Sequence, residues 1–247
     1  MINWFPLPRS LMENPIFVMC TPIEKLYLLH VASEINLRGP FYKADLEIAV
    51  TLRASEDKIR RTRREFMGLG WVTAQPGFRS RGRHLATRYF SVPGAARTDG
   101  DFYAPFHRFT FEGLLNHLRY AAVTHADVVT YVYLTYIRGK TGHNDSFFIS
   151  KHELRELTGL PSATLCVANL HKGFAFTGGT HLFEFRDEYH RLVFFNWVTF
   201  ADPSEDETNA KNAERYRQEI AASVQALKHP QPKRTPARRR SGCASAQ

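Results

Sequence analysis

Apolar residues recur at helical spacing through residues 22 to 37, PIEKLYLLHVASEINL, where Ile23, Leu26, Tyr27, Leu29 and His30 fall on related positions. Thr21 is a candidate N-cap and Pro22 takes the first helical position, so a helix is predicted to start there and to end at Gly39-Pro40. FYKADLEIAVTL then reads as a short extended stretch leading into a second helix, with Leu46, Ala49 and Val50 on one face. After a turn from Thr51 to Ala54, Ser55 caps a third helix. Glu56 and Asp57 complement its dipole, Ile59, Thr62, Phe66 and Leu69 form its inward stripe, and Gly70 stops it. WVTAQ and LATRYFSV flank the loop PGFRSRGRH as a β-hairpin. The predicted order is helix, short strand, helix, turn, helix, hairpin.

That order recurs. PFHRFTFEGLLNHL matches the opening WFPLPRSLMEN as an apolar lead-in; HADVVTYVYLTYIRGK supplies a first helix, FFISKHELRELTGL a strand and second helix, and SATLCVANLHKG a third. Strands within FAFTGGTHLFEFRDEYHRLVFFNWVTF close the series. Pro22 aligns with His125 and Gly70-Trp71 with Gly173-Phe174, a constant offset of 103 residues, which predicts a duplicated module. The boundary is expected in the Gly- and Pro-bearing SVPGAARTDGD. The predicted organisation is therefore a first domain over 1–95, a linker over 96–105 and a second domain over 106–200. A C-terminal helix follows over 201–228, capped by Ser204 and striped by Ile220, Val224 and Leu227, and then a disordered basic tail over 229–247.

Charge sharpens this picture through its distribution. The chain of 247 residues carries a formal +9 and is 43% hydrophobic, which supplies a core and favours a polyanionic partner. Nine Lys and Arg fall between Lys58 and Arg88 against one acid, Glu65, and a further six fall between Lys228 and Arg240 with none. The remainder is net acidic. No run of about 18 apolar residues occurs and the N-terminus lacks signal-peptide order, so no membrane partner is expected and a cytoplasmic location is. Cys20, Cys166 and Cys243 are odd in number and far apart, which suits reduced thiols.

At about 100° per residue, with Ile59 at the centre of the buried face, Arg60, Arg61 and Arg64 point away from the core. Such a helix, laid in a major groove, places arginines against guanine edges or phosphates. Arg63 and Arg88 belong to the same basic region, and Arg79, Arg81 and Arg83 sit on the hairpin, where they reach a neighbouring groove or the backbone. Arg60, Arg61, Arg63, Arg64, Arg79, Arg81, Arg83 and Arg88 are thus the DNA-binding candidates. The bland alternative is a solvated basic face on a protein-binding adaptor.

The third helix of the second module offers only His171 and Lys172 as cations, and Leu165, Cys166, Val167 and Leu170 spread around it. These four predict an interaction surface, for a homodimer or another partner, with plain core packing as the alternative. Arg186, His190 and Arg191 offer a second set of phosphate contacts. The Arg-rich tail reads equally as a solubility or targeting appendage and as a non-specific phosphate-binding arm.

Catalytic patterns are missing from the sequence. Gly139-Lys140 lacks the upstream glycine of a phosphate loop, and HELRE at His152 carries Glu156 where a zinc helix needs histidine. The histidines are scattered singly. No enzyme activity, metal or cofactor is expected.

Pro22 to Val92, with DLEIA as second helix and LRASEDKIRRTRREFMGLGWVTAQ as turn, recognition helix, glycine and aromatic strand, resembles a winged helix-turn-helix domain. Residues 106 to 200 resemble the same plan less closely, since the third helix lacks the basic face and the turn GLPS contains Pro161. The fold class so implied is α+β, mainly α, with two tandem winged-helix domains. That architecture is similar to plasmid and phage replication initiators, which implies a sequence-specific double-stranded DNA-binding protein, replication or transcription machinery as further partners, and service to a plasmid, phage or other mobile element.

Overall fold

The computed structural model describes residues 4–79, 85–95, 100–142, 146–173, 182–195 and 197. The fold is α+β, with nine α-helices and eight short strands among the described residues. The first half runs β1 (Trp4–Pro8), α1 (Arg9–Met12), α2 (Pro15–Met19), α3 (Pro22–Arg38), β2 (Phe41–Ala44), α4 (Asp45–Thr51), α5 (Glu56–Gly68), β3 (Thr73–Arg79) and β4 (Leu85–Ser91), then a 3-10 turn at Pro93–Ala95. The second runs β5 (Tyr103–His107), α6 (Arg108–Arg119), α7 (His125–Thr141), β6 (Ser146–Ser150), α8 (Lys151–Thr158), α9 (Ala163–Gly173), β7 (Glu184–Glu188) and β8 (Arg191–Phe195). Each half carries a three-stranded antiparallel sheet, ordered β2-β4-β3 in the first and β6-β8-β7 in the second.

Local chemistry explains the corresponding elements. Thr21 and Glu24 form a reciprocal capping box at the start of α3, and Thr124 and Asp127 form the same box 103 residues on at the start of α7. Both helices end on a glycine at positive φ, Gly39 and Gly142. Ser55 accepts from the Lys58 N–H to cap α5 as expected. On α4 the buried residues are Asp45, Ile48, Ala49 and Thr51, whereas Leu46 and Val50 are half-buried. The inward face is thus rotated from the expected one, because Ile48 and the buried Leu52 at i+4 set it. Short α2, capped by Asn14 with Pro15 at its first position, has no apolar periodicity long enough to announce it.

The halves interlock. β1 pairs antiparallel with β5, Trp4 opposite His107 and Pro8 opposite Tyr103, with Trp4 and Tyr103 stacked at 5.7 Å. Part of the expected linker over 96–105 is accordingly ordered by long-range bonds: the Phe102 carbonyl accepts from the Arg9 N–H, and Asp101 accepts from the Ser10 N–H and hydroxyl. One continuous cluster of buried residues runs from Phe5 to Phe194, and α3 packs on α7.

Two side chains cross between the halves in a reciprocal manner. Lys25 of α3 is fully buried and donates from Nζ to the Thr158 carbonyl at the end of α8, 2.7 Å, and to the Val18 carbonyl in α2, 2.8 Å. His125 of α7 meets the Leu52 carbonyl just past α4 at 2.6 Å. Helix C-terminal carbonyls lack intrahelical partners, so each cross-contact satisfies an acceptor and places a donor at the negative end of a helix. Glu13 adds a clasp, accepting from Tyr136 at 2.7 Å, Lys140 at 2.6 Å and Arg9 at 2.9 Å. The C-terminal helix expected over 201–228 and the tail over 229–247 lie outside the described residues.

Candidate nucleic-acid interface

The basic helix α5 divides by angle. Ile59, Thr62 and Phe66 are buried, whereas Leu69, expected on the same stripe, falls at the C-cap and is exposed; Phe66 packs on Tyr27 of α3 and stacks on Trp71 at 5.5 Å. This fixes the roll of the helix and turns the opposite side outward. Arg61 and Arg64 are exposed there and make no ion pair with a described residue.

Arg60 lies between the two environments. It donates to Glu56 at 2.7 Å and to Asp57 at 2.9 Å and stands 3.9 Å from Asp45. Its guanidinium is thereby engaged within the chain, but through exposed, weak pairs on a side chain that keeps 39% exposure.

Arg63 corrects the sequence expectation. Its side chain is 6% exposed, pairs with Asp45 and donates to the Thr87 hydroxyl at 2.7 Å. Position 63 is one turn from Ile59, about 40° away around the helix, so it faces inward. Burial pulls the Arg63 pKa down, and the adjacent Asp45 carboxylate more than offsets this. Arg63 joins α5, the start of α4 and β4, and only the 6% of its side chain that borders the cleft between α4, α5 and β3 is left exposed.

Arg88 is displaced in another way. Thr87 faces inward to Arg63, so by strand alternation Arg88 faces out on the far side of the sheet. There it lies over Tyr42 at 5.4 Å and Phe90 at 4.8 Å. The structure does not bring it to the outer face of α5. Arg79 ends β3, but its side chain, with Arg81 and Arg83, lies outside the described residues. Between α4, α5 and β3 an open cleft of about 580 Å³ is lined by Asp45, Glu56, Arg60, Arg64, Pro76 and Thr87, among others. It separates helix from hairpin along one side of the first half.

The apolar set predicted as an interaction surface is mostly core. Cys166, Val167 and Leu170 are 3%, 0% and 0% exposed, and only Leu165 faces out, at 62%. The reason is that α9 packs against α7 and α8 at once, so most of its circumference is covered. Burial, with Asp127 nearby, pushes the Cys166 thiol up to about 11. Arg186 and Arg191 lie on the exposed sheet face, over Phe195 at 5.2 Å and Phe148 at 5.3 Å. The adjacent His190 packs against the exposed Tyr189.

Sequence reasoning missed Arg53. It is exposed in the turn between α4 and α5 and adopts φ +46. Its position between the second helix and the cap of the third was a usable signal, but nothing local announces a left-handed arginine. Among the described residues no group of three metal-ligating side chains forms, and no helix is long and apolar enough to cross a membrane. No family model, curated protein or solved structure matches the chain.

Proposed function

We propose that the chain binds double-stranded DNA through the outer face of α5, with Arg61 and Arg64 as the principal contacts and the β3–β4 hairpin as a flanking wing. In this reading the halves are two tandem winged-helix units and only the first carries the reading helix. The observation that carries it is the pair of exposed guanidiniums without a carboxylate partner among the described residues, on a helix whose roll is fixed by Ile59 and Phe66. Phosphate contacts supply affinity that falls with salt, and bidentate arginine contacts to guanine supply sequence preference. The chain serves as a replication initiator or transcriptional regulator of a mobile element and performs no chemistry itself.

The Arg61→Ala/Arg64→Ala variant tests this in an electrophoretic shift titration. Each lost base contact weakens binding by very roughly 1 to 3 kcal/mol, so the double variant is expected to lose at least about tenfold at matched salt. Parent-like affinity removes the assignment. Selection from a random duplex pool then separates the roles, direct repeats pointing to an origin and a palindrome to an operator.

A further inference from the structure

The turn between α4 and α5 holds Arg53 at φ +46, in the left-handed region that side chains with a Cβ avoid and that glycine or asparagine occupies at less cost. An arginine stands there with its side chain exposed and without an ion pair to any described residue. The nearest carboxylates in sequence, Glu56 and Asp57, are both bonded to Arg60. The intramolecular charge that would quench Arg53 is therefore spent elsewhere.

The turn is also held firmly. The Arg53 N–H bonds to the Val50 carbonyl at 3.3 Å and the Ala54 N–H to the Ala49 carbonyl at 2.9 Å. From the other half, His125 Nε2 donates to the Leu52 carbonyl at 2.6 Å, immediately before Arg53. Burial lowers the His125 pKa and Arg53 adds repulsion, both favouring the neutral ring, although the Leu52 bond works the other way. A left-handed backbone at a bulky residue persists where its surroundings over-determine it, and here α4 and α7 do so together.

We infer that Arg53 is a further DNA phosphate contact presented by this turn, and that His125 is a positioning residue through which the second half fixes the reading turn of the first. The inference rests on the DNA-binding reading above. It gives the second half a role in recognition without requiring α9 to touch DNA.

Arg53→Gly is the informative substitution, because glycine tolerates the left-handed backbone at no steric cost while the exposed side chain and its guanidinium are removed. Binding to random duplex is titrated at several salt concentrations. The variant is expected to bind roughly five- to tenfold more weakly at moderate salt. Its plot of log affinity against log salt should be shallower by about 0.9, and its urea midpoint should equal or exceed the parent's. His125→Ala is expected to weaken binding in the parent and to have little effect in the Arg53→Gly background; if it does not fold, His125→Asn takes its place in the cycle. A parent that binds duplex while Arg53→Gly shows the same affinity and slope overturns the Arg53 assignment alone. Additive losses overturn the positioning role. A parent that binds no duplex at low salt overturns the DNA-binding reading and this inference with it.

Discussion

Four arginines within five positions of α5 have three different fates, and the difference is angular. Arg61 and Arg64 project into solvent, Arg60 is held by first-turn acids, and Arg63 closes a buried pair with Asp45. Exposed i,i+3 and i,i+4 pairs such as those of Arg60 are worth only a few tenths of a kcal/mol, so a phosphate competes with them easily. The Asp45–Arg63 pair is different in kind, since removing one partner strands the other charge in the interior. Arg63→Ala is expected to cost about 3 to 5 kcal/mol in urea unfolding. The Asp45→Leu/Arg63→Met double variant should recover most of that loss, and the folded fraction of each should bind DNA as the parent does. A large loss of affinity from the well-folded double variant would return Arg63 to the interface. The inward direction of Arg63 follows from its spacing to Ile59, yet on sequence alone it is grouped with the basic contacts; its partner could not be read, because nothing in the sequence says that Asp45 at the start of α4 points into the same interior.

At the scale of elements, α5 and α9 occupy equivalent places in the two halves and differ in how much of their surface is covered. α5 is apolar on one side and keeps a free face, whereas α9 is covered by α7 and α8 and exposes Leu165 alone among its large apolar residues. Leu170→Ala is expected to cost about 2 to 5 kcal/mol, the range for truncating a fully buried leucine, while Leu165→Ser should leave the unfolding free energy from urea titration within about 0.5 kcal/mol of the parent's. A Leu165→Ser loss as large as that of Leu170→Ala would mean that Leu165 is covered by a partner in solution, and sedimentation would then report a smaller species for the variant. Helices with their own punctuation were readable in advance: α3 through Thr21 and Pro22, and α5 through Ser55 and Gly70. The β1–β5 ribbon was not, because Trp4 and His107 meet only through long-range pairing, and α2 is too short to show a period. Repetition was the more dependable guide, since the capping boxes at Thr21 and Thr124 recur at the offset seen in the sequence.

Across the whole molecule the two halves share more than a covalent link. Lys25 and His125 cross in opposite directions, Glu13 gathers three donors from α1 and α7, and the buried cluster is continuous. Acid should therefore act on the molecule as a unit. Burial raises the Glu13 carboxyl, but Lys140, Tyr136 and Arg9 carry it down to about 2; Lys43 and its neighbours likewise outweigh burial at Glu34 and carry it to about 2. Burial, with Lys43 adding, takes His30 to about 3. The native state thus holds fewer protons than the unfolded chain from the ordinary histidine value of 6.5 downward, and stability falls with pH. The carboxylate contribution is complete above 4.5 and is lost as pH falls from there towards about 2. Urea midpoints between pH 7 and 4 are expected to decline for the parent and less steeply for His30→Gln; identical slopes would show that His30 is protonated in the native state. The shared core makes a further demand. Trp71 packs on Phe17 and Phe66 in the first half, and Trp197 stacks on Tyr131 and Phe183 in the second. If the halves are one cooperative unit, variants retaining only Trp71 or only Trp197 will each lose fluorescence at the same urea concentration as their own helical signal. Separate midpoints within one variant would mean that the ribbon and cross-caps join two independently stable bodies. A single midpoint means that loosening His125 or Lys25 lowers the stability of the α4–α5 turn together with that of the whole chain, and that any ligand bound to the first half, duplex DNA in the proposed function, stabilises the second.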